Sequence, residues 1–70
     1  MPLTFELIEF NTRRLMRGAE AAKVAVFEDG EQIDWLWMTP KDLRANKREH
    51  GPSPALDQAL AQYRSHGVTR

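Results

Sequence analysis

Residues 22–38 read AKVAVFEDGEQIDWLWM, two runs of strand-forming residues on either side of Asp29-Gly30. Asp-Gly between β-type runs is a strong hairpin signal. A type I′ turn needs positive φ at both central positions, and these two residues tolerate it best. With Asp29 and Gly30 as the loop, Glu28 faces Glu31 and a register follows. Val26 falls opposite Ile33, Val24 opposite Trp35 and Ala22 opposite Trp37 on one face. The reverse carries Phe27 with Gln32, Ala25 with Asp34, Lys23 with Leu36 and Ala21 with Met38. The first face is apolar throughout and the second is mixed. A slip of one residue would exchange them, so the pattern selects the tryptophan face as the buried one. The tip, with Glu28, Asp29 and Glu31 crowded together, is acidic; like charges opposite one another favour solvation or a basic partner.

Working outward from the hairpin, residues 1–10 (MPLTFELIEF) predict a first strand. Leu3, Phe5 and Leu7 alternate onto one face while Ile8 and Phe10 fall on the other. That phase change marks a strand buried on both sides or a β-bulge. Paired antiparallel with residues 22–27 it completes a meander, which a lone hairpin needs for stability in water. Residues 11–20 (NTRRLMRGAE) read as a polar connection with a turn at Gly18; Arg13, Arg14 and Arg17 are its candidate anion-binding side chains.

After the hairpin, Thr39-Pro40-Lys41-Asp42 carries the signals of a helix start. Thr39 is placed to cap, Pro40 suits the first helical position, and Asp42 stands where a capping box has its acid. The helix spans residues 40–50, closed by Gly51, and is basic on much of its surface through Lys41, Arg44, Lys47 and Arg48. Leu43 is its one large apolar residue. Ser53-Pro54 begins a second helix. Its Leu56, Ala59, Leu60 and Tyr63 recur at helical spacing and form the apolar stripe that should cover the sheet. The expected fold is α+β: a three-stranded antiparallel meander followed by two short helices on one sheet face, in the order β-β-β-α-α. Residues 1–70 make a single domain, with 66–70 expected to fray.

The totals narrow the function. Ten basic and ten acidic residues cancel, which argues against a strongly basic nucleic-acid binder. With no cysteine there is neither disulfide nor thiolate metal site. No apolar run is long enough for a membrane span and no signal-peptide pattern is present, so a cytoplasmic protein is expected. His50 and His66 stand alone, without metal-ligand spacing. Ser53 and Thr39 read as helix caps rather than nucleophiles, and the acids sit on helix surfaces and at the hairpin tip rather than in a cleft. Neither an enzyme, a cofactor nor a small-molecule substrate is expected.

What remains is a binding role. The mixed sheet face, with Phe27, Leu36, Met38 and Ala25 beside the acidic Glu28 and Asp29, is the expected protein interface, for a homodimer or a larger partner. The alternative is nucleic-acid binding through Arg13, Arg14 and Arg17 together with Lys41, Arg44, Lys47 and Arg48. In layout, though in no particular motif, the chain resembles small stand-alone accessory proteins of phages and mobile elements. The resemblance implies a protein that works by occupying the surface of another.

Overall fold

The hairpin turn forms as its sequence predicts. Asp29 takes φ +53° and Gly30 φ +82°, and Glu28 pairs with Glu31 across them. The structure, a computed structural model, describes residues 3–68. Residues 1 and 2 of the expected first strand, and 69 and 70 of the expected tail, lie outside the described residues.

Three strands, β1 (Leu3–Phe10), β2 (Ala22–Glu28) and β3 (Glu31–Met38), form one antiparallel sheet in the order β1-β2-β3. Two helices follow, Pro40–His50 and Pro54–Ser65, so the meander with two trailing helices stands as expected. Between β1 and β2 the chain adds one short helix, α1 (Thr12–Met16), where the sequence reading expects only a connection. Asn11 nucleates it: the side-chain carbonyl accepts the Arg14 N–H at 3.1 Å while the Asn11 N–H still donates to Ala21 O at 2.8 Å. One residue thus ends a strand and caps a helix. The two longer helices are α2 (Pro40–His50) and α3 (Pro54–Ser65).

Both strand ladders contain an extra residue. In β1, Leu7 pairs with Val24 and Glu9 with Lys23, leaving Ile8 as a bulge. The bulge returns Phe10 to the side of Phe5 and Leu7, which resolves the phase change in the sequence. In β3, Gln32 pairs with Phe27 but Asp34 pairs with Val26, so Ile33 is extra. From there the observed pairs are Ala25 with Trp35, Val24 with Leu36, Lys23 with Trp37 and Ala22 with Met38. The register expected from the turn alone is therefore corrected beyond Gln32. The bulge exchanges the two faces, carrying Trp35 and Trp37 away from the valines.

The reason is packing under the helices. Capping at Thr39 is reciprocal: its Oγ1 accepts the Asp42 N–H at 3.2 Å and Asp42 Oδ2 accepts the Thr39 N–H at 3.1 Å, despite the short acid. The chain therefore leaves β3 for α2 at once, and Met38 enters the core with Leu43, at 2% and 0% exposure. On α3, Leu56, Ala59 and Tyr63 are buried as the stripe predicts. Ser53 begins that helix without a side-chain capping bond. The buried cluster joins these to Ala21, Ala22 and Val24, with Phe5, Leu7, Phe10, Leu15, Leu60 and Val68 packed around it. The Tyr63 hydroxyl lies over the two alanines, accepting from Ala21 N at 2.7 Å and Ala22 N at 3.2 Å, and donates to Met38 O at 2.6 Å. His66 caps α3, and Val68 N–H returns to Tyr63 O at 2.9 Å.

The molecule is long, 35 × 19 × 14 Å, because the helices cover one end of the sheet and the hairpin tip projects past them. Among the described residues no helix is long and apolar enough to cross a membrane.

Candidate interaction surface

The sheet face away from α2 and α3 is built from three cross-strand rows: Thr4–Phe27–Gln32, Glu6–Ala25–Trp35 and Glu9–Lys23–Trp37. Among the described residues no helix covers it, and Trp35 keeps 47% of its surface exposed. The indoles are held by cations instead. The Lys23 ammonium lies 4.4 Å from the Trp35 ring centre and 5.9 Å from that of Trp37. The Arg14 guanidinium lies 4.1 Å from the Trp37 ring centre. Such contacts contribute about 0.5–1 kcal/mol each at exposed sites, enough to order the rings without burying them.

Local structure explains how Arg14 gets there. The Asn11 cap starts α1 at the end of β1, Leu15 of the same turn packs against the core, and Arg14 emerges over the opposite side of the sheet. Its Nε donates to Glu20 O at 2.6 Å, which anchors the guanidinium to the chain entering β2. Ile8 and Ile33, the two bulge residues, add exposed apolar surface at 46% and 53%. On β3, Asp34 Oδ1 accepts the Trp35 N–H at 2.8 Å, so a side chain occupies one donor of this outer strand.

The expected interface residues divide between the two faces. Phe27 shares the open face with the tryptophans; Ala25 lies on that side of the sheet too but is buried, at 2% exposure, so its place in an interface is corrected. Leu36 lies on the helix side and stays 46% exposed toward the uncovered tip. Met38 is a core residue, and its place in an interface is corrected: opposite Ala22 and under Tyr63, it has no surface to offer. Glu28 and Asp29 are exposed at the tip. Trp35, Trp37, Lys23, Glu6 and Glu9 are surface residues that the turn-based register had assigned elsewhere or passed over.

The expected cationic set is split as well. Arg14 stands over the open sheet face, while Arg44, Lys47 and Arg48 line a groove on the helix layer together with Pro52, Leu60 and Arg64. That groove encloses about 470 Å³ and is wide open. Lys47 reaches Asp57 at 2.7 Å, bridging α2 to α3. Both partners are well exposed, and such pairs contribute little to stability. Arg13, Arg17 and Lys41 are exposed and lie outside the groove lining. A smaller recess of about 240 Å³, lined by Leu15, Thr39, Pro40, Tyr63 and Val68 among others, is mostly apolar, and both side-chain hydroxyls of that lining are engaged: that of Tyr63 serves three backbone groups and that of Thr39 accepts the Asp42 N–H.

Comparison with protein-family models, with curated proteins and with solved structures finds no match to this chain. The reading of the surface rests on its own geometry.

Proposed function

We propose that the protein is a non-catalytic, cytoplasmic protein-binding module whose contact surface is the open face of the sheet. One observation carries this reading: two partly exposed tryptophans, ordered by a lysine and an arginine, stand on a face that no helix covers among the described residues. Tryptophan and arginine dominate the energetics of protein interfaces, and a rigid platform loses little entropy on binding. Free surface of this kind is costly to keep unless something docks there. The phage and mobile-element accessory proteins that the chain resembles in layout include ones that occupy a host protein's surface, a mode this face suits. The test is capture from native lysate on immobilised protein, comparing wild type with Trp35→Ala and with Lys41→Ala on the far helix. Partners lost with Trp35→Ala and kept with Lys41→Ala support the reading. Partners held equally by wild type and Trp35→Ala overturn it.

A second reading has its own observation. Arg64 of α3 joins Arg48 and Lys47 of α2 along one groove, a local positive surface on a chain of zero net charge. A phosphate backbone is the ligand it would take. Filter binding of single- and double-stranded nucleic acid at two salt concentrations tests it, since phosphate contacts make affinity fall steeply with salt. No retention at the lower salt removes it.

A further inference from the structure

We infer that the open face is complementary to a second copy of the same chain, packed sheet against sheet about a two-fold axis running along β2. The inference rests on the reading of this face as a contact surface and names its occupant.

The charges on the face lean to opposite margins, although Lys23 stands across the ladder from Glu9. Glu6 and Glu9 lie on β1 at one margin. Lys23 and Arg14 lie over the indoles of β3 at the other. The cations lean toward the indoles rather than toward a carboxylate, and the Glu9 carboxylate accepts only a long hydrogen bond, 3.4 Å, from Asn11 Nδ2. One margin therefore presents carboxylates and the other presents cations turned onto the indoles.

Sheets stacked face to face keep their strands within about 30° of one another, at a spacing of about 10 Å. Two kinds of in-plane two-fold axis satisfy this. An axis across the strands lays β1 on β1 of the copy, carboxylate over carboxylate, and cation over cation. An axis along β2 lays β1 over β3 of the copy and keeps each residue at its own height along the strand. Glu6 shares a row with Trp35, so it comes over Trp35 of the copy and the Lys23 ammonium held beside that ring. Glu9 shares a row with Trp37, so it comes over Trp37 of the copy and its Arg14 guanidinium. The lysines of β2 do not collide, because each ammonium leans toward its own β3 and away from the axis. On the axis Phe27 meets Phe27, while Ala25 is buried and adds no surface. The symmetry makes every contact twice, as an isologous interface requires.

The footprint sets the strength. Three strands of this length present about 400 Å² of face, below the ~800 Å² per partner of a standard stable interface, so the dimer is reversible.

Sedimentation equilibrium from about 10 μM to about 1 mM, the range in which so small an interface should populate, tests the assignment. Glu6→Lys and Lys23→Glu are measured alone and mixed in equal amounts, with folding followed by circular dichroism. Wild type should pass from monomer to dimer across the range. Each variant alone should associate at least about tenfold more weakly, because like charges then oppose each other at both symmetric sites. The mixture should recover the dimer, since a heterodimer restores opposite charges at both sites, a recovery that misfolding of either variant cannot mimic. Wild type that stays monomeric, single variants that dimerise normally, or a mixture no better than its components would each overturn the inference. A monomeric wild type whose lysate partners still depend on Trp35 would leave the interaction reading standing with a different occupant. Loss of the Trp35 dependence would remove both.

Discussion

The Tyr63 hydroxyl donates to the Met38 carbonyl at 2.6 Å, joining α3 to the last residue of β3. The same oxygen accepts from the N–H groups of Ala21 and Ala22, so one buried hydroxyl satisfies three backbone groups at the end of the sheet. Tyr63→Phe keeps the ring and removes only that oxygen. Buried backbone groups left without partners carry a desolvation penalty, and we expect a loss of about 1–3 kcal/mol in urea unfolding with an unchanged slope. A variant as stable as wild type would mean that the hydroxyl is not the organising contact described.

Much of this architecture was legible in the residues. The Asp29-Gly30 turn, the Thr39-Asp42 cap, Pro40 and the Leu56–Ala59–Tyr63 spacing each act through local chemistry, and each formed as read. The assignment of faces was not legible from the turn, because a turn specifies register only as far as the next bulge. A second local signal, at the start of α2, does specify the face. Met38 stands just before the capping residue of α2 and Leu43 is the fourth residue of that helix, the spacing of a hydrophobic staple. A staple places Met38 on the helix side of the sheet. The turn register placed it on the other side, and only an odd residue between the two can reconcile them. Asn11 as a helix cap was likewise readable, but α1 is too short to show periodicity. The open face itself depends on how far α2 and α3 reach across the sheet, which no local pattern encodes.

Deletion of Ile33 separates the two registers sharply. Without it, Gln32 is followed directly by Asp34, and the observed pairs from Phe27–Gln32 to Ala22–Met38 form a continuous ladder. We expect the deletion variant to keep its fold and to melt within about 1 kcal/mol of wild type, because a bulge residue has no ladder partner to lose. In the register without a bulge the same deletion would turn every residue from Asp34 to Met38 onto the opposite face and unfold the domain. Thermal melts by circular dichroism distinguish the outcomes.

The capping box at the β3–α2 junction should matter more than its surface position suggests. Thr39→Ala leaves the Asp42 N–H without its partner and frees the strand-to-helix corner that seats Met38. A loss of about 1 kcal/mol is expected, within the usual range for a removed cap. Lys47→Ala, which breaks the exposed bridge to Asp57, should cost less than half as much, because solvent screens that pair. Chemical denaturation of the two variants side by side checks the order, and the reverse order would contradict it.

The two tryptophans report directly on which face is buried. Trp35 and Trp37 lie on the open face, and the cations beside them raise the local concentration of anions. In dilute native protein, iodide should therefore quench the indole emission more efficiently than caesium does, and Lys23→Gln should reduce the difference. The stabilities should follow the same division. Leu56→Ala removes a fully buried side chain and should cost roughly 2–5 kcal/mol. Trp35→Ala removes a larger but half-exposed one and should cost about 1–2 kcal/mol, from partial burial and one cation–π contact. Emission inaccessible to either ion, with Trp35→Ala the more damaging substitution, would place the indoles under the helices and return the sheet to the register that the turn alone predicts.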